Sequence, residues 1–136
     1  MLLLCALLPA ACAKSEPEAV LRETVAAMQQ AVESRDIVAL MRPVAEDFVG
    51  SGGLDRDGLQ RLARLQFLRH ASIGVHLGPL DVELFGDRAR VRFTVVLTGG
   101  AGGLLPETGQ LYDVDTGWRL DGDRWRLVSA VWQAKL

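Results

Sequence analysis

The chain has 136 residues, carries a formal charge of −2, and is 49% hydrophobic and 24% charged. That is one domain's length with enough apolar content for a core, and a balanced charge without a basic stripe excludes nucleic acid as an expected partner. Both cysteines, Cys5 and Cys12, lie in the first twelve residues, so the remainder has no thiol for a disulfide, a metal or a nucleophile.

Residues 1–12 are uncharged, leucine-rich and end in small residues, the composition of the apolar core and cleavage region of a secretory signal. A membrane-crossing helix needs about 20 apolar residues, so this run is too short to span. Pro9-Ala10-Ala11-Cys12 resembles a bacterial lipobox, with Pro9 where leucine is usual. The resemblance implies lipid on Cys12, attachment to the membrane through it and, with Ala13 following the cysteine, the periplasmic side of the outer membrane. A cut after Ala13, at Ala11-Cys12-Ala13, would instead release a soluble periplasmic protein. The first basic residue is Lys14, beyond either cut, as expected of a start codon assigned too far downstream. An intracellular chain with an apolar start is the remaining alternative. Residues 13–136 then form a single domain.

The first half reads as helical. Ser15-Glu16-Pro17-Glu18 is a capping box with proline in the first turn, and Leu21, Val25, Met28 and Val32 follow at helical spacing. Asp36 caps a short helix bearing Ile37, Leu40 and Met41; beyond the interruption at Pro43, Val44 and Phe48 continue the pattern. After the glycine-rich loop at 50–53, Asp55 caps a third helix whose apolar residues are Leu59, Leu62, Leu65 and Leu68. The second half reads as strands. With a turn at Gly86-Asp87, Glu83 faces Arg90, Asp81 faces Arg92 and Val82 faces Val91, so charges pair on one sheet face and apolar groups on the other. A second hairpin turns at 121–124; Leu120 opposite Trp125 puts Trp118 opposite Leu127 and Val114 opposite Val131, on a face shared with Tyr112, Thr116, Ser129 and Gln133.

Helices followed by antiparallel hairpins predict an α+β domain. The segments Phe85-Gly86-Asp87-Arg88-Ala89-Arg90-Val91-Arg92-Phe93 and Trp118-Arg119-Leu120-Asp121-Gly122-Asp123-Arg124-Trp125-Arg126-Leu127 resemble turns of the nuclear transport factor 2-like superfamily, which includes SnoaL-like proteins and ketosteroid isomerases. The resemblance implies N-terminal helices packed in a curved antiparallel sheet, a cone-shaped α+β barrel with a pocket at its open end. It also implies dimerisation through the outer sheet face. Enzymes, binders and interaction modules share this fold, so fold alone selects no activity.

Candidate site residues follow from that pocket. Its expected lining includes Asp47, Tyr112, Thr116, Trp118, Ser129 and Gln133. A ketosteroid-isomerase-like reaction needs a carboxylate base and oxyanion donors; Asp47 could supply the base, but the family's first-helix tyrosine is missing and Tyr112 is the only tyrosine. Asp113 and Asp115 share a strand face and read as solvated, and Asp115-Thr116-Gly117 is a chance match to the aspartic-protease tripeptide. His70 and His76 lack a converging carboxylate for a metal site, and the glycines at 99–103 lack the Lys-Ser/Thr of a phosphate loop. Arg56, Arg61, Arg64, Arg69 and His70 cluster on the third helix, a solvated face that would meet anionic lipid if the domain were tethered close to a leaflet. No complete catalytic set is present, and neither a cofactor nor a metal is implied. The expectation is an envelope lipoprotein with a non-catalytic domain that binds a small apolar ligand or another protein; the alternative is an isomerase or hydratase using Asp47.

Overall fold

The computed structural model describes residues 16–100 and 109–135. The leader, Cys5, Cys12, Ser15 of the capping box and most of the loop after Gly100 lie outside the described residues. Helices α1 (Glu16–Glu33) and α2 (Ile37–Met41) come first, then strand β1 (Val44–Gly50), a short 3-10 turn, and helix α3 (Arg56–Arg69). Strands β2 (Ser72–Leu77), β3 (Asp81–Phe85), β4 (Arg88–Gly100), β5 (Gln110–Asp121) and β6 (Arg124–Ala134) complete the chain. They form one sheet in the order β1-β6-β5-β4-β2, with β3 also paired to β4. The architecture is the expected α+β cone, with one difference: the sheet is mixed, because β1 runs parallel to β6.

β1 corrects the helical reading of Val44 and Phe48. Pro43 has no N–H to continue α2, and its carbonyl accepts instead from the backbone of Leu127 at 2.9 Å, starting the parallel pair. The strand is irregular: its register slips between Val44 and Val49, and Val44, Ala45 and Phe48 are buried while Glu46 and Asp47 are exposed. That broken alternation leaves a four-residue apolar spacing that mimics a helix.

The caps form as expected. Asp36 accepts from Ala39 N at 3.1 Å and Asp55 from Gly58 N at 2.7 Å. At the end of α1, Arg35 takes a left-handed φ of 53°, with Arg35 N donating to Val32 O and Asp36 N to Ala31 O. This is a Schellman ending with arginine where glycine is usual.

The core lies between α1 and the concave sheet face, built on Leu21, Phe48, Val91, Trp118, Trp125 and Leu127. The β3–β4 hairpin has the predicted register, Asp81–Arg92, Val82–Val91 and Glu83–Arg90. Its outer face is a charge ladder: Arg92 binds Asp81 at 2.9 Å and Glu83 at 3.1 Å, and Arg90 Nε donates to Asp115 at 2.9 Å.

The Arg90 hydrogen bond, aided by nearby positive charge and opposed by burial, holds the Asp115 carboxyl below its ordinary 3.8. A carboxyl lowered in the folded state contributes stability above its unfolded pKa, and loses it as pH falls through the folded value. Asp115 and Arg90 are both more than a third exposed, so solvent screens the pair and its contribution is small. Asp115→Asn should therefore lower the urea midpoint slightly at pH 7 and leave it unchanged near pH 2. Equal losses at both values would mean that packing, not charge, is affected.

The second hairpin departs from its expected register. Leu120 faces Trp125 and Trp118 faces Leu127, but Gly117 then faces Ser129, leaving Val128 as an extra residue. Such a bulge turns every later side chain of β6 to the other face. Val114 faces Trp132, not Val131, and Val131 is exposed.

Candidate functional site

A cavity of about 560 Å³ opens between α3 and the concave face of the sheet. Leu59, Ala63, Phe67 and His70 line one wall, at a spacing that keeps them on one side of α3 and its C-cap. The other wall is the inward face of the strands, with Val95 and Leu97 of β4, Tyr112 and Val114 of β5, and Trp132 of β6. Among the described residues no Asp, Glu, Lys or Arg lines it; their polar side chains in the lining are Gln66, His70, Thr98, Gln110 and Tyr112.

α3 departs from the expected apolar stripe. Leucines three residues apart drift by about 60° per step on a helix of 3.6 residues per turn. Leu59 and Leu62 line the cavity, whereas Leu65 is 44% and Leu68 86% exposed. The outer side of α3 carries these two leucines among Arg61, Arg64 and Arg69, all exposed and without an ion pair to any described residue.

His70 is positioned from two directions. Its backbone N–H closes α3 on Gln66 O at 3.1 Å, and its carbonyl accepts from Arg35 Nη1 at 3.0 Å. Arg35 thus supplies a cation to the last carbonyls of α3 from the strained end of α1. The imidazole lies against Gly99, where a Cβ would stand 2.5 Å from Nδ1. Any side chain at Gly99 would displace the ring. Nδ1 is buried and has no hydrogen-bond partner among the described residues.

Of the six expected lining residues, the cavity includes Tyr112. Thr116 and Trp118 share its strand face but lie in the core, where Thr116 Oγ1 donates to Val91 O at 2.7 Å and accepts from Trp118 Nε1 at 2.8 Å. The Val128 bulge puts Ser129 opposite Gly117, its hydroxyl near Gly117 on the outer face, and leaves Gln133 exposed opposite Asp113. Asp47 is an exposed β1 residue bound to Arg119 at 2.9 Å, and that hydrogen bond holds its carboxyl below the usual range. A carboxylate so paired is a poor proton acceptor. Asp113 lies 3.8 Å from Lys135, on the solvated face expected for it.

His70 reaches the cavity while His76 is exposed on β2. Among the described residues no three His, Cys, Asp or Glu side chains gather to hold a metal. The residues that sequence reasoning missed as lining, Ala63, Phe67, His70 and Trp132, carried one usable signal. Leu59, Ala63, Phe67 and His70 step by four, four and three, a straighter stripe than the leucines.

No family model and no curated protein matches the sequence. Solved structures do. A nuclear transport factor 2-like candidate dehydratase from Streptomyces avermitilis superposes with TM-score 0.78 at 21% identity, covering 88% of this chain and 97% of that one. A nuclear transport factor 2-like protein of unknown function from Pseudomonas putida KT2440 gives TM-score 0.77 at 20% identity, covering 90% and 89%. Bdellovibrio bacteriovorus Bd1075 gives 0.75 at 16%; the match covers 85% of this chain but 40% of Bd1075. At such identities the likeness is one of fold. The chain has the nuclear transport factor 2-like fold, a cone of helices and curved sheet with its cavity under α3.

Proposed function

We propose that this domain is a non-catalytic binding module whose cavity takes a small apolar ligand, displayed in the cell envelope through lipid on Cys12. The observation that carries the binding role is the lining: about 560 Å³ walled by aliphatic and aromatic side chains, with a few polar groups and, among the described residues, no formal charge. Cavities of roughly 300–1,000 Å³ with this composition suit drug-sized apolar molecules. The Streptomyces neighbour raises a second reading, a dehydratase, hydratase or isomerase. That chemistry needs a positioned acid and base. Asp47 is spent on Arg119 outside the cavity, and among the described residues no carboxylate stands beside His70 and Tyr112 in the lining, so binding is the better-supported role.

Ala63 lines the cavity with the smallest side chain that α3 contributes, which makes it the position to fill. Ala63→Trp should abolish saturable binding of the neutral fluorophore N-phenylnaphthylamine while leaving the unfolding midpoint within a few degrees of wild type. Undiminished binding in this variant would rule out the cavity as the site. The envelope location rests on residues 1–12. Cys12→Ser should move the protein from the membrane to the soluble fraction of its host, and unchanged fractionation would remove the lipid anchor.

A further inference from the structure

We infer that the cavity selects a neutral ligand bearing one hydrogen-bond-accepting oxygen, and that the Nε2–H of His70 is the group that holds it. The inference rests on the cavity being the binding site. A Cβ built at Gly99 would lie 2.5 Å from Nδ1, 2.8 Å from Cε1 and 3.0 Å from Cγ of His70, so the Nδ1 edge of the ring faces the Gly99 backbone. Nδ1 is buried there without a partner among the described residues. A neutral imidazole carries one proton, on one nitrogen or the other. A buried N–H without an acceptor is rarer and costlier than a lone pair without a donor. In the neutral ring that geometry favours the Nε2–H tautomer, with Nε2 on the side of the ring turned away from Gly99, and the side chain donates to no described residue.

That leaves a donor on the wall of a mostly apolar cavity, on a residue held at the end of α3 by the Arg35 contact to its carbonyl. An acceptor oxygen on a bound ligand completes it. A carboxylate is disfavoured, because among the described residues no Lys or Arg lines the cavity to compensate its desolvation. A saturated hydrocarbon is disfavoured because it leaves the donor unpaired. Ketones, ethers and alcohols with an apolar body fit both conditions. The Tyr112 phenol, also without a hydrogen-bond partner among the described residues, can take a second polar group.

Three naphthalenes that differ at one position, carrying ethyl, acetyl or carboxylate, test this on the full chain by fluorescence titration. Wild type should bind acetylnaphthalene at least tenfold more tightly than naphthoate. His70→Phe should lower the acetyl-to-ethyl affinity ratio about three- to tenfold, the range for one hydrogen bond. His70→Gln, which keeps an N–H, should retain most of the ratio. In wild type, NMR should show the His70 Nε2 proton moving downfield with acetylnaphthalene and not with ethylnaphthalene, a readout that needs no variant to fold. An unchanged ratio in His70→Phe, an unmoved imidazole proton, or naphthoate as the tightest ligand would overturn the inference while leaving an apolar site. Failure of all three compounds to bind would overturn the site itself, and the inference with it.

Discussion

Replacing Trp125 with alanine should lower folding stability by about 3–5 kcal/mol, the usual cost of emptying a large aromatic site in a core. Trp125 is 2% exposed and packs in the central cluster with Leu21, Phe48 and Trp118. Its indole N–H also donates to Pro17 O at 2.8 Å, joining the first turn of α1 to the β5–β6 hairpin. Pro17 lies in the first turn of α1, whose carbonyls already accept within the helix, so the indole N–H takes a second lone pair of that oxygen and fixes how the helix enters the cone. A loss of this size is a large share of the roughly 5–15 kcal/mol that holds a domain folded. Trp125→Phe should cost less, because most of the ring remains and the Pro17 carbonyl is close enough to the surface to recruit water. Denaturant unfolding of both variants checks the order. If alanine cost under 1 kcal/mol, Trp125 would not be a centre of the core.

Thr116→Val is the second large effect, expected at about 1–3 kcal/mol. The substitution hardly changes shape, so the loss comes from hydrogen bonding alone. Thr116 is a buried polar residue whose hydroxyl both donates to Val91 O and accepts from Trp118 Nε1. Valine leaves the indole N–H of Trp118 buried and unpaired. The test is a double-mutant cycle: in a Trp118→Phe background that donor is gone, and Thr116→Val should then cost distinctly less. Equal costs in the two backgrounds would show that the two side chains are not coupled. The pair also explains why Thr116, which alternation along β5 assigns to a pocket face, has no free hydroxyl to offer a ligand.

Local signals were legible where one rule decided the outcome. The β3–β4 register follows from charges and apolar groups alternating on opposite faces, which only one pairing of Glu83, Asp81 and Val82 satisfies. Asp36 and Asp55 announced their helices because an N-cap carboxylate needs only its own first turn. The misreadings arose where non-local pairing decided. β1 is a strand because β6 lies beside it, a partner about eighty residues away that no spacing within 44–50 reveals. The Val128 bulge leaves no mark in an alternating pattern, so Ser129 and Gln133 were assigned to the wrong face and Trp132 was overlooked. The leucines of α3 were read as one stripe because each step of three looks helical, although the accumulated rotation carries Leu65 and Leu68 outside.

The Val128 bulge gives β6 a spare residue. Losing that single codon would restore an unbroken ladder and leave Ser129 opposite Gly117 and Trp132 opposite Val114. Losing a paired residue such as Ala130 would instead carry Val131 and Gln133 inward and Trp132 to solvent. A greasy chamber would then trade an indole for an amide, with every helix left in place. Descendants of one ancestor could part company in ligand preference through one small deletion, a route that a comparison of substitutions alone would overlook.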